Sequence, residues 1–206
     1  MDKVLAINDL NHKFAGTINT YAMRKFAFLF FLAGIICTAA GAQELPSPHP
    51  GKALVIFERP PVTAFAVQFR LFDSTKYLGL ISAGGHLVYE CTPGKKLFWA
   101  LSENRDFLEA DLEANQVYLI QTLVQAGAVK ARVKLQPYDP KDKRAEKIKR
   151  QFIKRIDKGK EKKAETITEG TNQKVIGQAI NRGMERYQKL KDKNKKITRL
   201  AADMHT

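Results

Sequence analysis

The chain has 206 residues with 35 Lys+Arg against 21 Asp+Glu, a formal net charge of +14 at pH 7. The excess is local rather than general: residues 43–137 carry ten basic and nine acidic side chains, residues 138–206 twenty-one and ten. Cys37 and Cys91 are the two cysteines, and Cys37 lies in a segment expected to be removed, so a disulfide scaffold is excluded.

Residues 1–22 show no strong periodicity and read as an over-extended leader upstream of the true start. Met23 begins a signal-peptide pattern. Arg24 and Lys25 form a positive start, Phe26 to Ile36 is an unbroken apolar run, and Ala40-Gly41-Ala42 supplies the small residues of a cleavage site. Cleavage is expected before Gln43. A periplasmic, outer-envelope or secreted protein follows; an uncleaved N-terminal membrane anchor is the other reading of the same run. Lipidation of Cys37 is disfavoured because Ile36 stands where a small residue is needed.

From Lys52 to Gln136 the pattern is that of β-strands. "ALVIFE" (53–58) is continuously apolar, as in a strand covered on both faces, and "VQFRLF" (67–72) alternates. "YLGLIS" follows the turn "DSTK", "HLVYEC" follows "AGG", and "KLFWAL" follows the Pro93-Gly94 turn. "DFLEADL", "QVYLIQTLV" and "VKARVKL" complete about eight short strands, with Val129, Ala131, Val133 and Leu135 inward and Lys130, Arg132 and Lys134 outward in the last. Such spacing predicts a mainly β fold, an antiparallel β-sandwich over 43–137, with Trp99, Leu97 and Leu101 near its centre.

A basic C-terminal helical tail is expected to follow. In 138–159, Asp139 suits a helix cap, Pro140 the first turn and Gly159 the stop. Ala145, Ile148, Phe152 and Ile156 form an apolar stripe opposite Lys and Arg. Residues 160–171 read as a polar linker. A Lys-rich helix is expected over 172–206, where apolar positions from Ile176 to Met204 step by four and three and would suit a coiled coil with Asn194 in the seam.

The residues Gly51 to Arg59, Asp73 to Gly79, Pro93 to Lys95 and Leu108 to Ile120 resemble the domain-of-unknown-function family 2846, short bacterial envelope β domains. The Pro-Gly-Lys turn is also similar to PEGA-type surface domains. The resemblance covers about 90 of 206 residues. It implies a β fold and an envelope location, and carries no activity, cofactor or site residue with it.

Chemical motifs are lacking. The sequence holds no G-x-S-x-G, no phosphate-binding G-x-x-x-x-G-K-[ST] and no H-E-x-x-H. His86 has no Cys or His at metal-ligand spacing, and on one strand it would face away from Cys91, which reads as a small buried hydrophobe. Glu58, Glu90, Glu109 and Asp111 read as solvated strand positions. No catalytic residue, metal or cofactor is expected. The candidate binding residues are cations: Arg59 at the end of the first strand, Lys147, Arg150 and Lys154 on the first tail helix, and Lys189, Lys193 and Lys196 on the second. The expected partners are a protein or second copy bound through 172–206, or an anionic envelope surface. Nucleic-acid binding through the Lys-rich tail, or an enzyme with an unrecognised site, are the alternatives; the export signal argues against nucleic acid.

Overall fold

The computed structural model describes residues 45–61, 67–126, 131–163 and 173–206. The expected leader, signal segment and cleavage point lie outside these, as do Val129, Lys130 and most of the polar linker. Eight strands occupy the predicted β region: β1 (Ala53–Glu58), β2 (Phe69–Asp73), β3 (Lys76–Ile81), β4 (Gly85–Cys91), β5 (Gly94–Leu101), β6 (Arg105–Leu112), β7 (Val117–Gln125) and β8 (Arg132–Pro137). After them come α1 (Ala145–Lys158), β9 (Lys160–Lys163), α2 (Gln173–Asp192) and β10 (Thr198–Leu200).

The strands form a sandwich-like body of two five-stranded sheets. One, here sheet A, has the order β8-β7-β1-β4-β9; the other, sheet B, has β10-β6-β5-β2-β3. Neither sheet is purely antiparallel, contrary to expectation: β1 runs parallel to β7, β4 to β9 and β6 to β10. Alternation in sequence reveals which residues share a face. It does not reveal that the first strand will lie between the fourth and the seventh.

Between the sheets, β1 contributes Ala53, Val55 and Phe57, β4 Leu87, Tyr89 and Cys91, β5 Phe98 and Ala100, and β7 Tyr118 and Ile120. The free edge of β8 is capped by side chains rather than left open. Asn104 Oδ1 accepts from Val133 N at 2.8 Å, and Asp106 Oδ2 accepts from Leu135 N at 2.7 Å, which blocks edge-to-edge pairing.

Trp99 is fully buried, but on the other side of sheet B from the sandwich interior. Cross-strand register places Tyr77, Phe72, Trp99 and Phe107 in one row over β3, β2, β5 and β6. Phe72 and Trp99 stack with centroids 3.9 Å apart and planes 6° from parallel. Trp99 Nε1 donates to the carbonyl of Ser74 at 2.8 Å. This aromatic row is covered by α2 through Ile176, Ala179, Ile180, Met184, Tyr187 and Leu190.

The second helix is therefore not a free, coiled-coil-forming tail. Its four-three spacing serves a sheet face. It also ends at Asp192 in a left-handed cap: Asn194 has φ 47°, its N–H reaches the carbonyl of Lys191 at 2.9 Å, and Lys195 N–H reaches that of Leu190 at 2.9 Å. The chain then turns into β10, and Leu200 enters the sandwich core with Met204 beside it.

The first helix starts five residues later than Pro140 predicts. Asp139 and Asp142 spend their carboxylates on nearby backbone, accepting from Lys141 N at 2.9 Å and Arg144 N at 2.7 Å, so each closes a turn instead of capping a long helix. Ala145, Ile148, Phe152 and Ile156 cover Leu54, Ile56 and Leu119 on the outer face of sheet A, as the stripe predicts, and Gly159 follows the helix.

Gly183 records how closely α2 approaches sheet B. A Cβ there would lie 2.6 Å from Trp99 Cη2 and 2.8 Å from Cζ2, whereas one at Gly177 would have nothing within 4 Å. Gly183→Ala should therefore destabilise by about 1–3 kcal/mol through overpacking. Gly177→Ala should stabilise by about 0.5–1 kcal/mol through helix propensity. Urea denaturation of the two variants checks this: effects of the same sign would mean α2 does not sit on Trp99.

Candidate functional site

Two polar features stand out, one on each sheet. On sheet B, Arg199 of β10 lies beside Glu109 of β6 in parallel register. Glu109 accepts two hydrogen bonds and faces a further cation, from two elements. Tyr187 Oη donates at 2.7 Å, Lys191 Nζ lies at 3.0 Å and Arg199 Nε at 3.4 Å. Hydrogen bonds from Tyr187 and Lys191 hold the Glu109 carboxyl below its ordinary range, while burial and that carboxylate push the Tyr187 phenol up to about 12.

This knot separates two clefts. The first, of about 900 Å³, has Lys134, Lys191, Lys195, Lys196 and Arg199 in its wall and Glu109 as its one carboxylate. The second, of about 700 Å³, shares Glu109, Lys191 and Arg199 and adds Lys95, Lys96 and Asp111. Seven cations thus face two carboxylates across the pair. Glu109 answers Lys191 and Arg199, Lys96 lies 3.9 Å from Asp73, and Lys95 stands across the strands from Asp111, so the excess is greatest at Lys134, Lys195 and Lys196 in the larger cleft. A concave surface lined by one sign of charge concentrates its field and attracts the opposite sign.

On sheet A the register aligns Gln136, Gln121, Glu58, His86 and Glu161 in a row across all five strands. Gln136 and Glu161 are exposed and Gln121 is half-buried; Glu58 and His86 are buried, with the last turn of α1 over them at Arg155 and Gly159. Glu58 is 1% exposed. Its Oε2 accepts from Gln121 Nε2 at 3.3 Å and lies 3.7 Å from Arg155 Nη1, while Oε1 has no hydrogen-bond partner. Burial raises its pKa to about 7 against the opposing charge of Arg155. Burial also lowers the pKa of His86, against the charge of Glu161. A cavity of about 430 Å³ bounded by Ser82, Gly84, Lys158 and Gly159 adjoins the imidazole. Gly159 cannot carry a side chain here: its Cβ would lie 2.6 Å from the Gly84 carbonyl oxygen.

The sequence-predicted cations fall into three places. Arg59 is not a surface group. It is fully buried, its guanidinium 4.1 Å above the Phe69 ring, and Nη1 donates to the carbonyls of Val67 and Ile81. It fastens the end of β1 to strands of the other sheet, a structural role. Lys147, Arg150 and Lys154 are exposed on α1, over sheet A. Lys189, Lys193 and Lys196 are exposed on or just after α2, over sheet B, and Lys196 lines the larger cleft. The two helical sets are thus on opposite faces. Lys95, Lys134, Lys191, Glu109 and Arg199 were missed as a group because they come from five elements, β5, β8, α2, β6 and β10; only the outward face of β8 pointed to Lys134.

Glu58, read as a solvated strand position, is instead buried. His86 belongs to β4 and faces away from Cys91, as expected for residues five apart on a strand. The Cys91 thiol is pushed up to about 11 by burial, so it is protonated near neutral pH and a poor nucleophile. Among the described residues no group of three or more His, Cys, Asp or Glu is placed to hold a metal ion.

Comparison with family models, curated proteins and solved structures returns no match. The site must be read from its own geometry.

The buried row makes stability depend on pH. For Glu58, folded and unfolded states are both protonated below about 4.5, so its contribution is full there. It is lost as pH rises to the folded value of about 7. His86 has the opposite sign: its contribution is present above the ordinary 6.5 and lost as pH falls through its lowered folded value. Glu58→Gln removes only the first effect. The stability of this variant relative to the native chain should therefore rise between pH 4.5 and 8, by about 3 kcal/mol, and then level off. Urea titrations across that range measure it; a pH-independent difference would mean Glu58 is ionised throughout.

Proposed function

We propose that this protein is an exported, non-catalytic module of the cell envelope that binds an anionic partner through the basic clefts around Glu109, walled by α2, β10 and neighbouring strands, with the edge strand β8 of sheet A in the larger one. The observation that carries the reading is the imbalance at the clefts, seven cations to two carboxylates. Lys134, Lys195 and Lys196 come from β8 and the loop after α2, so the fold holds them together around a concavity. The signal-like pattern over 23–42 and the resemblance to envelope β domains support the compartment. Partner recognition by 172–206 is kept, in altered form: the segment contributes Lys191, Lys195, Lys196 and Arg199 to a cleft rather than a seam to a coiled coil.

Two measurements test this. Protein recovered from the envelope fraction of cells expressing the full chain should begin at Gln43. It should also bind a phosphate-rich anionic resin in a salt-sensitive manner, since the attraction works by displacing counterions. Replacing Lys134 and Lys196 together by Glu should weaken binding at least about tenfold at 0.1 M salt, where charges separated by less than about 10 Å still interact. Unchanged binding would remove the clefts from the reading.

A further inference from the structure

We infer that the partner is a linear, phosphate-bearing polyanion that lies across both clefts at once, rather than a membrane surface. This rests on the anion-binding reading above and narrows it.

The argument begins with what α1 and α2 have left to offer a bilayer. A helix that lies in a membrane interface needs an exposed apolar face opposite its cations. Here both stripes are already covered. Ile148, Phe152 and Ile156 pack on sheet A, and Ile176, Tyr187 and Leu190 pack on sheet B. Among the described residues Val175, at 45%, is the one large hydrophobic substantially exposed. The cations have no apolar wedge beside them.

The shape of the basic surface points the same way. The two clefts are not independent pockets: they share Glu109, Lys191 and Arg199 as a common wall. The Glu109 carboxylate fixes Lys191 and Arg199 at that wall, one from α2 and one from β10. Beyond them, Lys134, Lys195 and Lys196 continue on one side; on the other stand Lys95, across the strands from Asp111, and Lys96, 3.9 Å from Asp73, so the track is strongest in the larger cleft and thinner in the smaller. A flat array of headgroups meets the rim of such a concavity. A flexible chain with a charge at every repeat can enter one cleft, cross the shared wall and occupy the second. Its second engagement is then intramolecular, which raises affinity without any new kind of contact.

The lining addresses an anionic backbone and not bases, and phosphate is the probe chosen for it. Tyr187, the aromatic in the lining, has its hydroxyl on Glu109 and its ring 5.6 Å from Phe107. No stacking platform for a base is provided among the lining residues.

The test uses protein purified after expression of the full chain, at low salt. Its probes are inorganic triphosphate, polyphosphate of several tens of units, single-stranded DNA of the same phosphate number, and phosphatidylglycerol vesicles. Polyphosphate should bind at least about a hundredfold more tightly than triphosphate, the gain expected of two linked engagements. Lys95→Glu, in the smaller cleft, should weaken polyphosphate at least about fivefold and triphosphate less than about twofold, since the larger cleft remains to hold a short ligand. The double variant Arg150→Glu, Lys154→Glu, on the opposite face, should change neither by more than about twofold. The inference is overturned if affinity does not depend on chain length, or if the α1 variant loses as much as the cleft variant. It is also overturned if vesicles bind as tightly as polyphosphate per phosphate, or if DNA binds more than about tenfold tighter than polyphosphate. If vesicles bind and polyphosphate does not, only this inference falls. If no anion binds at low salt, the function proposed above falls with it.

Discussion

The row of aromatic rings on the outer face of sheet B is the constraint on which most of the molecule depends. Tyr77, Phe72, Trp99 and Phe107 cannot be left in water: rings of this size each bury roughly 150–250 Å² and dominate the energetics of the surface they occupy. Something must cover them, and α2 does. Because Gly183 lets the helix touch the Trp99 ring, the axis of α2 is fixed in height and position. The C-cap at Asn194 then fixes where the chain leaves the helix. From there only a short span leads to the edge of β6, which sets β10 in register and Arg199 beside Glu109. The basic clefts are thus a downstream result of covering one tryptophan.

Sheet A solves the same problem with a different inventory. Its outer face carries an apolar row, including Leu119, Ile56 and Val88, and next to it the polar row through Glu58 and His86. One helix covers both. The apolar stripe of α1 matches the first row, and the last turn, where Arg155 projects and Gly159 allows close approach, falls over the second. A buried carboxylate beside a buried imidazole is costly unless charges and donors answer it. Arg155 and Gln121 answer Glu58 in part. What is left is a pair of opposed titrations at the seam between α1 and the sheet.

The eight strands were legible because face and period are local properties. "ALVIFE" ends up between two covered faces, and Leu87, Tyr89 and Cys91 share the interior as their alternation implies. Trp99 shows the limit of that kind of reading. Leu97, Trp99 and Leu101 alternate, but so do Phe98 and Ala100 between them, and both sets are apolar. Sequence alone cannot say which set faces the other sheet. In α2 the four-three spacing fits a partner helix and a flat sheet equally well; the glycine in the stripe was the signal for close approach to something broad. Glu58 was misread because a carboxylate at a strand end is usually solvated, and nothing nearby in sequence announces a helix arriving about 90 residues later. The clefts were legible only in part: Lys191, Lys195, Lys196 and Arg199 are close in sequence and Lys196 was a candidate, but that Lys134 and Lys95 join them depends on strand order, which is not a local property.

The position of β10 has a consequence for the order in which the body can fold. Leu200 fills the sandwich core, Met204 packs beside it, and the Thr206 amide donates to the carbonyl of Val117 at 3.0 Å. The hydroxyl of Tyr118, which accepts from Glu113 N, donates to the Ala202 carbonyl at 3.0 Å. Residues 200–206 are therefore among those that close the core. Pairings between β1 and β7, and between β6 and β10, are also far apart in the chain, and such topologies form slowly. No sheet is complete until segments more than 50 residues apart have met, so the body is built to fold as one cooperative unit rather than strand by strand.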